Sequence, residues 1–131
     1  MRRRGPEHAG RIELTAEPTA PRAARAWVMR SLADVGIGGS ANQIAELLTA
    51  ELVANAVVHG EGQVLVDLAV TGACVEIGVT DAGAGQPAVQ HPELPAQSGR
   101  GLALVEALAS TWGTAPCATG KRVWFELTTD D

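Results

Sequence analysis

Apolar and polar residues along this chain fall into two spacings, and each predicts an element. "GRIELTA" (10–16) sets Ile12, Leu14 and Ala16 against Arg11, Glu13 and Thr15, the period of a half-buried strand. Pro18 and Pro21 then open a helix through "RAARAWVMRSLADVG", with an expected apolar stripe of Ala23, Trp27, Arg30 or Met29, and Leu32 to Val35. "GIGGS" (36–40) stops it, with Gly at the C-terminal end and Ser40 as the expected N-cap of a second helix. That helix runs from about Ala41 to Val58 and ends at "HGEG". Two alternating strands, "QVLVDLAVTG" and "ACVEIGVTD", join at Thr71-Gly72 as a short hairpin. Residues 82–98 hold three prolines and no period, which predicts a long loop of the functional or mobile kind. "GRGLALVEALASTW" returns to helical spacing through Leu102, Val105, Leu108 and Ala109, and "WGTAPCATG" and "KRVWFELTT" close the chain as strands. The order β-α-α-β-β-loop-α-β-β predicts a two-layer α/β (α+β) sandwich. Residues 1–9 are expected to be a flexible tail and 10–131 a single domain.

Composition narrows the class. The chain has 131 residues, 46% of them hydrophobic, yet Trp27, Trp112, Trp124 and Phe125 are its only Phe, Trp or Tyr residues, so the core must be aliphatic. A net charge of -5 argues against a broad basic nucleic-acid surface, and Arg2-Arg3-Arg4 reads as a solvated terminus. No apolar run approaches a membrane span, and the basic start leads into "GPEHAG" and not into an apolar signal segment. Cys74 and Cys117 are too few for a disulfide scaffold or a zinc site, and Cys74 in "GACVEIGV" is expected as a buried free thiol. A cytoplasmic location fits this reading.

Three features carry chemistry. In "ELVANAVVHG" (51–60), Glu51, Asn55 and His59 recur every four residues, so they form one polar stripe beside Leu47, Leu48, Leu52 and Val58 on an otherwise apolar helix. Glu46 and Thr49 point elsewhere around that helix. A carboxylate taken into such a face needs partners or a cation to offset its desolvation, and Mg²⁺ suits oxygen ligands and phosphates. "TDAGAG" (80–85) places an acid at a strand end, followed by glycines that allow close backbone approach. "SGRGLALV" (98–105) is a Gly-rich opening to a helix, where free N–H groups favour anions. Each has a bland counterpart: a solvent-facing helix side, a common turn after a strand, a plain tight turn.

Taken in order, "ELVANAVVHG", "DAGAG" and "GRGLALV" resemble the nucleotide-binding boxes of the histidine-kinase-like (GHKL) ATPase superfamily. "STWGTAPCATGKRVWFEL" is similar to the close of its anti-sigma-factor serine/threonine kinase branch, the RsbW type, and the likeness covers roughly residues 12 to 128. The resemblance implies a Bergerat-type ATP-binding fold, a mixed sheet under one helical layer, with residues 10–131 as the ATPase domain and ATP and Mg²⁺ as cofactors. It implies that Asn55 coordinates Mg²⁺, that Glu51 is the general base toward a substrate serine hydroxyl or orients a water, and that Asp81 accepts a hydrogen bond from the adenine amino group. Gly83 and Gly85 would pass close to the purine, and residues 86–98 would form the lid. Gly99, Arg100, Gly101 and Leu102 would cradle the phosphates, with His59 capping or packing. The implied partners are a STAS-domain anti-sigma-factor antagonist and a sigma factor, with a homodimer as the usual assembly.

Two departures stand against the branch pattern. Related kinases carry an arginine before the Ser-Gly of the lid box, where this chain has Gln97. Their last strand reads Gly-Lys-Thr before Val-Trp, where this chain has Lys121 and Arg122, a long cation that either crowds the purine or grips a phosphate. Both leave open a second reading, a pseudo-kinase adaptor that binds partners without ATP turnover. A detached sensor-kinase ATPase module is a third.

Overall fold

The computed structural model describes residues 8–59, 62–81, 96–117 and 120–129. In chain order the elements are β1 (His8–Thr15), α1 (Ala20–Ala33), α2 (Gly39–His59), β2 (Gln63–Thr71), β3 (Cys74–Asp81), α3 (Ala96–Leu108), β4 (Thr111–Cys117) and β5 (Gly120–Thr128). The strands form one sheet in the order β1-β2-β3-β5-β4, and one face of it carries all three helices. The two-layer α+β sandwich is as the element order predicts.

The expectation of a mixed sheet needs correction: every one of the pairings is antiparallel. The reason lies in the crossover. Helix α3 carries the chain past a gap one strand wide, so β4 lands at the edge and β5 turns back into the gap. β3 and β4 run the same way, but β5 separates them and is antiparallel to both.

Local chemistry explains the stops. Gly36 N–H bonds the Ala33 carbonyl at 3.0 Å and Ile37 N–H bonds Leu32 at 2.9 Å, the bond pair of a Schellman stop, with Gly36 at φ +83°. Ser40 is the second residue of α2 and not its N-cap. Asn42 ties the corner instead, its Nδ2 donating to the Ile37 carbonyl at 2.9 Å and the Met29 carbonyl at 3.2 Å. The β2–β3 hairpin has a two-residue loop, Thr71 standing opposite Cys74, with Gly72 at φ +61° supplying the left-handed position such loops need.

The core lies between the helices and the inner sheet face. From the sheet come Val64, Val66, Leu68, Val70, Val75, Ile77, Val79, Phe125 and Leu127, all buried, and α2 sets Ala45, Leu48, Leu52, Val53 and Ala56 against them. The stripe of α1 is one residue out of register with the expected one. Ala20, Ala24, Val28 and Leu32 are buried, while Ala23 is exposed and Met29 and Val35 are 42% and 39% exposed. Small Ala20 and Ala24 at this contact let α1 approach α2, and a hydrophobicity ranking favours the larger Trp27 and Met29 over them. Trp27 is partly buried at the margin, where its ring would stand 3.5 Å from a Cβ at Gly10. Among the described residues no helix is long and apolar enough to cross a membrane.

The corrected register is testable. Ala24→Leu overpacks the α1–α2 contact and is expected to cost about 1–3 kcal/mol, whereas Ala23→Leu, on the exposed side, is expected to be near neutral. Urea unfolding of both variants reads the difference; equal losses would put the stripe back where hydrophobicity alone suggests.

Candidate functional site

Strand register brings the predicted site elements to one end of the sandwich. Asp81 stands opposite Val64 on β2 and Lys121 on β5, and Thr15 opposite Gln63 closes the same end of the sheet. Helix α2 ends at His59, a few residues before β2 begins at Gln63, so its C-terminal turns arrive there too. Helix α3 ends at Leu108 beside Thr111, which pairs with Glu126 at the far end of β5, so its N-terminus points back toward Asp81.

The polar stripe on α2 lies on a definite flank. Glu46 faces α1, since its Oε1 accepts from Arg25 Nε at 3.3 Å. Five residues advance a helix by about 140° and nine by about 180°, so Glu51 and Asn55 lie on the side turned away from α1. That is the side on which α3 packs. Both are half-buried, and Val58, three residues past Asn55, is 56% exposed on the same flank. Thr49 lies in the core, fully buried, and its hydroxyl has no hydrogen-bond partner among the described residues. Asp81 has the parity of Val75, Ile77 and Val79 on β3, so strand alternation turns it to the helix-bearing face. Glu51, Asn55 and Asp81 thus share one end and one face.

Other predicted residues fall differently. Gly83, Gly85 and most of the 86–98 segment lie outside the described residues, as does the side chain of His59. Gly99, Arg100, Gly101 and Leu102 lie within α3, which begins at Ala96; the donors left without intrahelical partners belong to its first turn, and Gly101 and Leu102 come after it. The side chains of Gln97 and Arg100 are outside the described residues. Leu102 is partly buried against the core.

Arg122 is the clear correction. It neither crowds a purine nor reaches a phosphate at this end, because strand alternation turns it to the outer, helix-free face. There Nε donates to Asp67 Oδ2 at 3.1 Å and Nη2 to Asp67 Oδ1 at 2.6 Å and Glu76 Oε2 at 3.1 Å. The hydrogen bonds to Asp67 come first in holding its guanidinium above its ordinary pKa, against partial burial, and Glu76 adds to them. Gly78 makes room for this group: a Cβ there would fall on the Arg122 guanidinium. Lys121, one residue earlier, has the opposite parity and stands on the site face beside Asp81. Sequence reasoning grouped the two cations, and β5 alternation with buried Phe125 and Leu127 is the signal that separates them.

Cys74 also differs from expectation. It is half-buried on the outer-face side of β3 and not in the core. Burial first, then the carboxylates of Glu126 and Glu76, push its thiol above the ordinary value. Among the described residues no group of three or more His, Cys, Asp or Glu could hold a metal by itself.

Residues 14–126 match the model of the histidine kinase-like ATPase domain. The chain belongs to the histidine kinase-like ATPase family. A similar solved structure is that of the RsbU and RsbW domains of Rv1364c from Mycobacterium tuberculosis, at 27% identity and a TM-score of 0.71. The match covers 96% of this chain and 34% of that one, so the chain spans about a third of that protein's solved length. No curated protein gives a match. The fold is that of a histidine kinase-like ATPase and is similar to the RsbW domain, and an ATPase domain of this family implies an ATP site.

Two outcomes follow from the outer face. Gly78→Ala is expected to cost about 1 kcal/mol, the scale of a half-exposed ion-pair network, and much less in an Arg122→Ala background; equal costs in both backgrounds would show that the guanidinium does not occupy that space. Because the Cys74 thiol is pushed up, its thiolate fraction at pH 8 is lowered, so iodoacetamide is expected to label exposed Cys117 first. Cys74 labelling should then accelerate as pH rises through its raised pKa, and mass spectrometry finding Cys74 labelled first at pH 8 would contradict the assignment.

Proposed function

We propose that this chain binds MgATP between α2 and α3, at the end of the sheet marked by Asp81, and acts as an anti-sigma-factor serine/threonine kinase. Its substrate is a serine of a STAS-domain anti-sigma-factor antagonist, and its alternative partner is a sigma factor. The observation that carries this reading is the convergence of Glu51 and Asn55 on the α3 flank of α2 at the same end as Asp81.

The donor set fits the nucleotide and its cation. Glu51 and Asn55 offer hard oxygen atoms one helical turn apart, with no thiolate or imidazole cluster beside them among the described residues, which suits a cation that takes its remaining ligands from phosphates and water. Mg²⁺, when bound, neutralises charge on the transferring phosphoryl group. Asn55 holds that ion through its side-chain carbonyl. Glu51, half-buried in an aliphatic flank, accepts the proton of the substrate hydroxyl. Asp81 accepts from the base, and the first turn of α3 offers N–H groups to the phosphates. Electrostatic preorganisation of this kind supplies most of the work in phosphoryl transfer, because the protein makes no covalent bond of its own.

A non-catalytic adaptor is the second reading, favoured by Gln97 where related kinases carry arginine. Arg122 no longer supports it, since that residue is committed to Asp67 and Glu76 on the other face.

Calorimetry with ATP, with and without Mg²⁺, is expected to give binding that strengthens with the cation. Phosphate transfer from labelled ATP to a STAS-domain partner should fall by about 10²–10⁴-fold on Glu51→Ala, the range for losing a general base, while ATP still binds. Binding without any transfer by the wild type favours the adaptor; no heat at millimolar nucleotide removes the nucleotide reading altogether.

A further inference from the structure

Lys121 stands directly across from Asp81 in the β3–β5 ladder. Its parity is that of Phe125 and Leu127, which are buried beneath the helices, so its side chain leaves the sheet on the same face as Asp81. Directly opposed residues on one face hold their Cβ atoms roughly 5 Å apart, well within the reach of a lysine stem. The other cation of the strand, Arg122, is bound on the far face. The end of the sheet that presents the base-reading carboxylate therefore also presents an ammonium, acceptor and donor side by side.

We propose that Lys121 is a specificity-determining residue that widens base selection from adenine to 6-oxopurines, so that guanine nucleotides bind this site as well. This rests on the nucleotide reading given above. A carboxylate alone accepts from the 6-amino group of adenine and repels the 6-oxygen of guanine, which leaves that oxygen without a donor. An ammonium beside the carboxylate removes that penalty. It donates to the guanine 6-oxygen while the carboxylate accepts from the adjacent N1–H, and with adenine the carboxylate keeps the amino group while the ammonium turns to solvent. One residue thus supplies the donor that a carboxylate cannot offer to the second base.

Competition of ATP, GTP and ITP against a fluorescent ATP analogue tests this on the full chain, with thermal unfolding as the control for folding. The wild type is expected to bind ATP and GTP within about tenfold of one another, and Lys121→Thr to lose about tenfold or more in GTP and ITP affinity, the scale of one hydrogen bond to a charged group, with little change for ATP. Lys121→Arg, which keeps a cationic donor, is expected to keep GTP binding. Equal losses of ATP and GTP in Lys121→Thr would mean that the ammonium reads phosphates, and overturn the proposal. So would an unchanged ATP-to-GTP ratio. If ATP binds and Asp81→Asn abolishes it while Lys121→Thr leaves the ratio unmoved, this inference fails and the nucleotide reading stands. If no nucleotide binds the wild type, both fall.

Discussion

Helix α2 must be covered on three sides at once, and the rest of the domain is arranged around that need. Its apolar positions wrap most of its circumference, as in a helix flanked by neighbours and not lying on a surface. The sheet covers one side through Val66, Ile77 and Phe125, α1 covers a second through Ala24, Val28 and Leu32, and α3 covers the third. The polar side chains of α2 have to be placed within this enclosure. Glu46 is met by Arg25, Asn42 is bonded to the α1–α2 corner, and Glu51 and Asn55 are left on the α3 flank near an open end. Their half-buried state leaves oxygen donors there partly desolvated, so a charged ligand on that flank would interact with them more strongly than in open water.

The outer face of the sheet solves a different problem. Without helices, it relies on the long side chains of β5 lying across glycines of the neighbouring strands. Arg122 spans Gly78 to reach Asp67 and Glu76, and the Trp124 ring would stand 2.8 Å from a Cβ at Gly113 on β4. Two glycines that read as weak points in strand patterns are thus the floor for two bulky groups. The consequence for the site is separation of charge: one cation of β5 is consumed in holding three strands together, and the other is left at the end where Asp81 stands.

The placement of Asp81, Glu51 and Asn55 was legible because backbone periodicity dictates it. Asp81 shares the parity of Val75, Ile77 and Val79 on β3, and Glu51 and Asn55 share a flank by helical period alone. What could not be read was how neighbouring elements divide those positions. The stripe of α1 slipped by one residue because Ala20 and Ala24 are chosen for closeness to α2, a property of the pair of helices and not of either sequence. The roles given to Gly99 and Gly101 depend on where α3 starts, and the helix begins earlier than the glycines suggest.

Periodicity and turn chemistry in the primary structure alone settled the order of elements and the face each strand buries, since these follow from local geometry with a period of two or 3.6. Strand order, the antiparallel ladder around β5 and the division of labour between Lys121 and Arg122 came only with the packed sheet. Those features depend on which strand fills the gap left by the α3 crossover, and partners such as Asp67 and Arg122, 55 positions apart, meet only when that gap closes.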